Sequence, residues 1–305
     1  MILQKYKKEL INLAISAFFV TFARKIKYMR KTTPLIIGII VLLLHSCGDY
    51  AKVTKTTDSS YRYEAAKGYY AVGHYNRAAE LLNDLIIVTK GTEKGEECLY
   101  LLAMANYNGK NYDAAATTFQ RYYQSYPRGI FTEEAYFYSG KALYENTPEP
   151  RLDQTDTYNA VTEFSNFIEA YPNSKYRQEA QKSIFELQDK LVEKEYLSAK
   201  LYYDLGGYFL NCTNGGSNYQ ACVITAQNAI KDYPYCKRRE DLSILVLKAK
   251  FELAKNSVAS KQAERYQDAI DEFYGFQTEY PESEFMPKAQ AMYEHAKKYE
   301  THEDE

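Results

Sequence analysis

The feature that most constrains the fold is a tyrosine–proline pair that occurs four times and uses four of the eight prolines. The pairs are Tyr126-Pro127, Tyr171-Pro172, Tyr233-Pro234 and Tyr280-Pro281. Proline cannot continue a helix, and it moves the residue before it out of the α region. Each pair therefore predicts the end of a helix, and four similar ends favour a repeated helical unit.

The residues that precede these pairs repeat as well. A small residue lies eleven positions before the tyrosine, and in three copies a phenylalanine lies seven positions before it. The small residues are Ala115, Ala160, Cys222 and Ala269. A small residue followed four positions later by a large one lies on one helix face. We expect the three alanines to be buried where helices cross.

A second pattern precedes the first: Ala66, Ala103 and Gly140 lie 37 residues apart. This period is slightly longer than the 34 residues of a tetratricopeptide repeat, which is a helix–turn–helix unit. The chain is therefore predicted to be all-α, a tetratricopeptide-repeat α-solenoid of about five helix–turn–helix repeats plus a capping helix. The predicted repeats are 59–90, 93–127, 130–172, 192–234 and 238–281, with an extra helix at 175–192 and the capping helix at 287–299. This groups residues 59–172 as the first three repeats and 173–300 as the remainder.

The amino-terminal region predicts export and a lipid anchor. Arg30 and Lys31 precede an apolar run over residues 34–44, which is too short to span a bilayer, and the run ends in the sequence LHSC at Cys47. Residues 29–46 resemble a bacterial lipoprotein signal peptide, which implies lipidation at Cys47 and a linker over 47–58. The residue after the cysteine is Gly48, and in this respect the chain resembles lipoproteins that are sorted to the outer membrane. The resemblance implies that the protein faces the periplasm. The alternative for Cys47 is a buried cysteine after an ordinary signal peptide. Residues 1–28, which precede the signal peptide, are interpreted as an over-extended gene start.

Composition and motifs argue against several function classes. A net charge of -2 gives no support for nucleic acid as a partner. The chain has no His-Glu-x-x-His, Cys-x-x-Cys or glycine-rich phosphate motif, so we expect no enzyme, no cofactor and no metal. The acidic 301–305 segment is interpreted as a solvated tail. Cys212 and Cys222 either form a disulfide, which an exported protein permits, or are two unpaired core residues.

The candidate site is a ladder of side chains on the first helices of three repeats. Its members share spacings of four and three residues, which place them on one helix face: Tyr63, Lys67, Tyr70, Tyr100, Met104, Tyr107, Phe137, Lys141 and Tyr144. First helices line the concave side of a tetratricopeptide stack, and aromatic and methionine side chains suit an extended peptide. The alternative is that these side chains pack only on neighbouring repeats.

Three stretches carry a family resemblance: FSNFIEAYPNSKY, LVEKEYLSAKLYYDLGGY and YQACVITAQNAIKDYP. They resemble the BamD family, the tetratricopeptide lipoproteins of the outer-membrane β-barrel assembly machine, over nearly all of 47–299. The resemblance implies a scaffold and receptor whose first three repeats meet the C-terminal signal of an incoming, unfolded outer-membrane barrel protein. It also implies that the later repeats hold a POTRA domain of a BamA-like partner. Many family members carry an arginine at the position of Thr225. The contact that this arginine makes with the barrel partner is therefore not carried over to this chain.

Two other functions remain open from the sequence. One is a periplasmic tetratricopeptide adaptor that coordinates cell-envelope machinery, although such proteins usually carry a coiled coil and no lipid anchor. The other is a nutrient-binding lipoprotein beside a transporter. Those proteins use tryptophan platforms, and this chain contains no tryptophan.

Overall fold

A computed structural model describes residues 50–206 and 217–299 of the chain. It divides into two compact units, with the boundary between Lys90 and Gly91. The first unit contains helix α1 (Ser59–Ala71) and helix α2 (Tyr75–Val88), and residues 50–55 are also helical. The predicted signal peptide, Cys47, Cys212 and the acidic tail all lie outside the described residues.

The first unit is a helical pair with a defined start. The Asp58 side chain accepts hydrogen bonds from the backbone N–H groups of Ser60 and Tyr61, at 2.9 and 3.1 Å, which caps the amino terminus of α1. Helix α2 buries Leu81 and Leu82 completely. The pair therefore has the helix–turn–helix form that the sequence predicts for the first repeat.

The second unit contains nine further helices within the described residues. They are α3 (Glu93–Asn108), α4 (Tyr112–Ser125), α5 (Thr132–Asn146), α6 (Thr155–Ala170), α7 (Arg177–Leu205), α8 (Asn218–Asp232), α9 (Arg239–Lys255), α10 (Ala259–Glu279) and α11 (Met286–Ala296). Each helix packs mainly against its neighbours in the sequence. The described residues contain no strand, so the predicted all-α class is confirmed.

The tyrosine–proline pairs end helices as predicted. The four tyrosines are the residues that follow α4, α6, α8 and α10, with φ between −126° and −131° and ψ between 61° and 68°. After each proline the chain turns in the same way. In the first copy, the Gly129 N–H donates to the Tyr126 carbonyl at 2.9 Å; in the second, the Ser174 N–H donates to the Tyr171 carbonyl at 3.1 Å. The same backbone turn therefore joins successive repeats.

The predicted register of the second helices is also confirmed. Ala115, Ala160 and Ala269 are at most 2% exposed. Phe119 and Phe164, four positions after the first two alanines, are fully buried. The small residue and the large residue therefore occupy the buried face of each second helix.

The prediction of a separate extra helix at 175–192 is wrong. Helix α7 runs without interruption for 29 residues, from Arg177 to Leu205. No glycine or proline lies inside this range, so nothing in the backbone breaks the helix. Leu191 and Val192, at the expected boundary, are buried in the middle of it. The extra helix and the first helix of the fourth repeat are therefore one element.

The end of the described chain matches the predicted capping helix. Helix α11 is followed by a 3₁₀ turn over Lys297–Tyr299. The ring of Tyr299 stacks on Tyr266 of α10, with ring centroids 4.4 Å apart.

None of the described helices has both the length and the apolar character needed to cross a bilayer.

Candidate functional site

The ladder lies on three helices, one in the first unit and two in the second. Helix α1 carries Tyr63, Lys67 and Tyr70; α3 carries Tyr100, Met104 and Tyr107; α5 carries Phe137, Lys141 and Tyr144. Each trio follows one face of its helix, since the spacings are four and three residues. The three aromatic residues that begin these trios behave differently from the rest.

The first aromatic residue of each trio packs inside the protein. Tyr63 is 4% exposed and Phe137 is 2% exposed, so the expectation that the ladder's aromatic rings face an open groove is wrong for these two. Tyr100 is partly buried, and its ring stacks on Phe131 with centroids 4.2 Å apart and planes 9° apart. Phe137 stacks in the same way on Tyr176, at 4.4 Å and 9°.

The turn after each tyrosine–proline pair explains these stacks. Phe131 and Tyr176 each lie five residues after the tyrosine of a pair, at the position immediately before the next first helix. The shared backbone turn places the two rings at equivalent positions in successive repeats. After the third pair this position is Arg238, whose guanidinium lies over the Tyr196 ring at 4.6 Å and donates to Glu193 at 2.7 Å. We call these three contacts the inter-repeat stacks, because each joins one repeat to the next.

The last aromatic residue of each trio in the second unit is more accessible. Tyr107 is partly buried, edge-on to Tyr138 and Tyr112 at centroid distances of 5.2 and 5.7 Å. Burial is the main reason that the pKa of its hydroxyl is raised. Tyr144 donates its hydroxyl to Glu186 of α7 at 2.7 Å, and this hydrogen bond is the main reason that its pKa rises to about 12.

The middle positions of the trios carry the charge and the flexible side chain. Lys141 of α5 donates to Glu179 of α7 at 2.6 Å. Met104 of α3 is partly exposed. Lys67 of α1 is exposed and lies over the Tyr63 ring at 5.2 Å.

The structure thus brings together a surface that the sequence pattern covers only in part. It joins α3, α5 and α7, and we call it the α3/α5/α7 face; its members are Met104, Tyr107, Lys141, Tyr144, Glu179 and Glu186. The two glutamates were missed because they lie 38 and 42 residues after their partners and outside the 37-residue pattern. Phenol hydroxyls, a thioether and carboxylates in one place can hydrogen-bond and pack against a polypeptide.

Metal-ligating side chains and cysteine thiols are the remaining groups that could carry chemistry. In residues 50–206 and 217–299, no group of histidine, cysteine, aspartate and glutamate side chains is arranged to hold a metal ion. Cys222 is buried among helices α7, α8 and α9, and burial raises the pKa of its thiol to about 12. A thiol in such surroundings is a packing residue and not a nucleophile.

Comparison with known families identifies the chain. A family model described as "YfiO: Outer membrane lipoprotein" matches residues 55–245. The chain belongs to this family. The match begins before α1 and ends within α9, so it includes the α3/α5/α7 face and the whole of the uninterrupted α7.

Two curated proteins that are similar to this chain carry the name BamD. One is the outer membrane protein assembly factor BamD of Caulobacter vibrioides, 22% identical over 134 residues. The other also carries the BamD name, comes from Aquifex aeolicus, and is 25% identical over 181 residues. The matches cover 44% and 58% of the chain and the same shares of the two relatives, about half the length of each.

Among solved structures, the chain has a match to the TPR2AB domain of yeast Sti1 in complex with pHSP90. It is 14% identical, covers 78% of this chain and 98% of its own, and superimposes with a TM-score of 0.33. That score is too low to support a conclusion, so the fold assignment depends on the helices and their register.

Proposed function

We propose that the protein is a lipid-anchored scaffold and receptor in the assembly and insertion of β-barrel proteins into the outer membrane. The observation that carries the proposal is membership of the outer-membrane lipoprotein family over residues 55–245. Two relatives named BamD, one of them an outer membrane protein assembly factor, support the same process. Lipidation at Cys47 supplies the anchor, with the repeats facing the periplasm.

The receptor surface that we propose is the α3/α5/α7 face, extended by Tyr100. Lys67 and Tyr70 of the first unit are proposed as peptide contacts in their own right. Tyr107 and Tyr144 offer ring area and hydroxyls at low entropic cost, and Met104 adapts to side chains of different shape. An unfolded barrel strand alternates apolar and polar residues. Such a strand can place apolar side chains on the rings and polar groups near Glu179 and Glu186. Tyr63 and Phe137 are excluded from the receptor surface because they belong to the core.

We assign the later repeats to a protein partner, a POTRA domain of a BamA-like assembly protein. Two exposed apolar side chains support a contact there: Ile224 of α8 is 53% exposed, and Tyr235 in the following turn is 96% exposed. The role is binding and positioning, without catalysis and without a cofactor. Work in assembly then comes from the binding energy and from the folding of the client.

Co-purification after mild detergent extraction tests the proposal. We expect the tagged full chain to bring down a barrel protein with POTRA domains, and depletion of the chain to lower the amount of folded outer-membrane barrels. Capture of cell-wall machinery with normal barrel levels would instead favour the envelope adaptor. Capture of a nutrient transporter would favour the binding lipoprotein, and either result would overturn the proposal.

A further inference from the structure

The helical segment that follows the proposed lipidation site is docked on the first repeat. We call residues 50–55 the anchor segment. The Tyr50 ring meets the Tyr69 ring of α1 edge-on, with centroids 5.4 Å apart. The Arg77 guanidinium of α2 lies 5.2 Å from the centroid of the Tyr50 ring, and the Tyr50 hydroxyl donates to Glu80. Burial, followed by the hydrogen bond with Glu80, raises the pKa of this hydroxyl. Tyr50 is therefore fixed against both helices of the first repeat.

The anchor segment begins at one particular end of that repeat. Tyr69 lies in the last turn of α1, whereas Asp58 caps the start of the same helix. The chain from Tyr50 to Asp58 therefore runs back along α1, and Val53 within it is 4% exposed. The chain consequently enters the first unit beside the turn that joins α1 to α2.

The reach of the chain ties this turn to the lipid. Cys47 precedes Tyr50 by three residues, which span at most about 11 Å when fully extended. A flexible coil over residues 47–58 would have a root-mean-square length of about 17–21 Å and would leave the first repeat free to rotate. The docked anchor segment replaces that coil with a short arm. A lipid on Cys47 therefore holds the α1–α2 turn beside the bilayer surface.

The α1–α2 turn has the composition of a membrane-interface contact. Residues 68–76, with the sequence GYYAVGHYN, contain no lysine, arginine, aspartate or glutamate. Val72 in the turn is 68% exposed. Tyr69 and Tyr75 lie on either side of it, and tyrosine is enriched where a bilayer meets water because its ring is apolar and its hydroxyl is polar. Entry of this turn into the headgroup region therefore removes no charged side chain of the segment from water.

The exposed valine is not a requirement of the turn itself. In the second repeat, 37 residues later, Gly109 occupies the position of Val72 and the charged Lys110 follows it. The His74 N–H donates to the Tyr69 carbonyl at 2.8 Å, which closes the turn onto the residue that contacts the anchor segment. The anchor segment and the exposed valine are thus joined by direct contacts.

We infer that the α1–α2 turn, with Val72 at its exposed point, contacts the phospholipid headgroup region, and that the docked anchor segment holds it there. The inference rests on the proposed lipid anchor at Cys47, and it adds the orientation of the first repeat. Helix α2 has 14 residues and is about 21 Å long at about 1.5 Å per residue. The inference therefore places Val88, at the other end of α2, away from the lipid.

Photo-crosslinking in vesicles tests the contact. The full lipidated chain is reconstituted in vesicles of phosphatidylethanolamine and phosphatidylglycerol that contain radiolabelled phospholipid. A photoreactive phenylalanine analogue replaces either Val72 or Val88, which are matched in residue type and in exposure, at 68% and 70%. We expect lipid adducts at position 72 and none at position 88.

A pair of variants tests the role of the anchor segment. Tyr50→Ala removes the contacts with Tyr69, Arg77 and Glu80. It should abolish the difference between positions 72 and 88, because a free tether holds neither end of the repeat at the lipid. Tyr61→Ala is the matched control, since Tyr61 is a tyrosine of α1 that is 54% exposed, and it should keep the wild-type difference. Thermal unfolding verifies that both variants are folded.

Vesicle flotation separates the inference from the anchor on which it rests. Protein that floats with the vesicles but gives no lipid adduct at position 72, or equal adducts at 72 and 88, would overturn the inference and leave the anchor intact. Protein that does not float would remove the anchor and the inference together. A wild-type difference in folded Tyr50→Ala would overturn the role of the anchor segment. An adduct at 72 with a protein in place of lipid, in cells, would assign the turn to a protein partner and overturn the lipid contact.

Discussion

A single glycine in α5 provides a quantitative test of how the repeats pack. Gly140 occupies the position of Ala66 and Ala103 in the 37-residue pattern, and it is buried. A Cβ added to Gly140 would lie 2.8 Å from Cδ1 and 2.9 Å from Cε1 of Phe164. Phe164 is fully buried, so its ring is surrounded by protein atoms. The glycine therefore allows α5 and α6 to approach each other.

The substitution Gly140→Ala has two opposing effects on the free energy of unfolding. Removing a glycine from a helix interior stabilises the folded state by about 1 kcal/mol. Inserting a methyl group into a filled core costs about 1–3 kcal/mol. The expected net effect is a loss of about 0–2 kcal/mol.

Gly275 in α10 is the matched control, because a Cβ there meets no atom within 4 Å. Gly275→Ala should show only the gain in helix propensity, and it should stabilise the folded state by about 1 kcal/mol. Urea unfolding followed by far-UV circular dichroism compares the two variants with the wild type. The difference between them should be about 1–3 kcal/mol, with Gly140→Ala the less stable. If Gly140→Ala stabilises as much as Gly275→Ala, the packing argument for the third repeat is wrong.

Three further predictions concern the register, the anchor and the buried thiol. Ala115→Phe should cost about 1–3 kcal/mol by overpacking the crossing of helices, and an unchanged melting temperature would contradict the register. Cys47→Ala should lose metabolic fatty-acid labelling, and labelling that persists would refute lipidation at this residue. Cys222 should resist alkylation at pH 8 while the protein is folded and react after unfolding, because burial raises the pKa of its thiol to about 12; rapid modification of folded protein, detected by mass spectrometry, would contradict its burial.

The features that could be predicted from the sequence are those set by local backbone chemistry and by helical period. Proline fixes the helix ends, which is why all four tyrosine–proline pairs lie where expected. The spacing of small and large residues fixes a helix face, which is why Ala115, Ala160 and Ala269 were correctly predicted to be buried. Both signals act within one helix.

The features that were missed depend on partners far away in the sequence. A stripe of aromatic residues has the same appearance whether a ring from the next repeat covers it or not. Tyr176, which covers Phe137, follows it by 39 residues, and only the turn after Tyr171-Pro172 brings the two together. The prediction of two helices in place of the continuous α7 fails because the repeat pattern sets a boundary at residue 192, where no backbone signal ends the helix.

The central claim is that the α3/α5/α7 face receives unfolded barrel proteins, and site-specific photo-crosslinking in cells tests it most directly. A photoreactive residue at Met104 or Tyr144 would lie on that face, and one at Ile130, which is 85% exposed in the turn before α5, would lie outside it. We predict adducts with newly exported barrel proteins at 104 and 144 and none at 130. Equal adducts at all three positions, or none at 104 and 144 in folded and correctly localised protein, would contradict the claim.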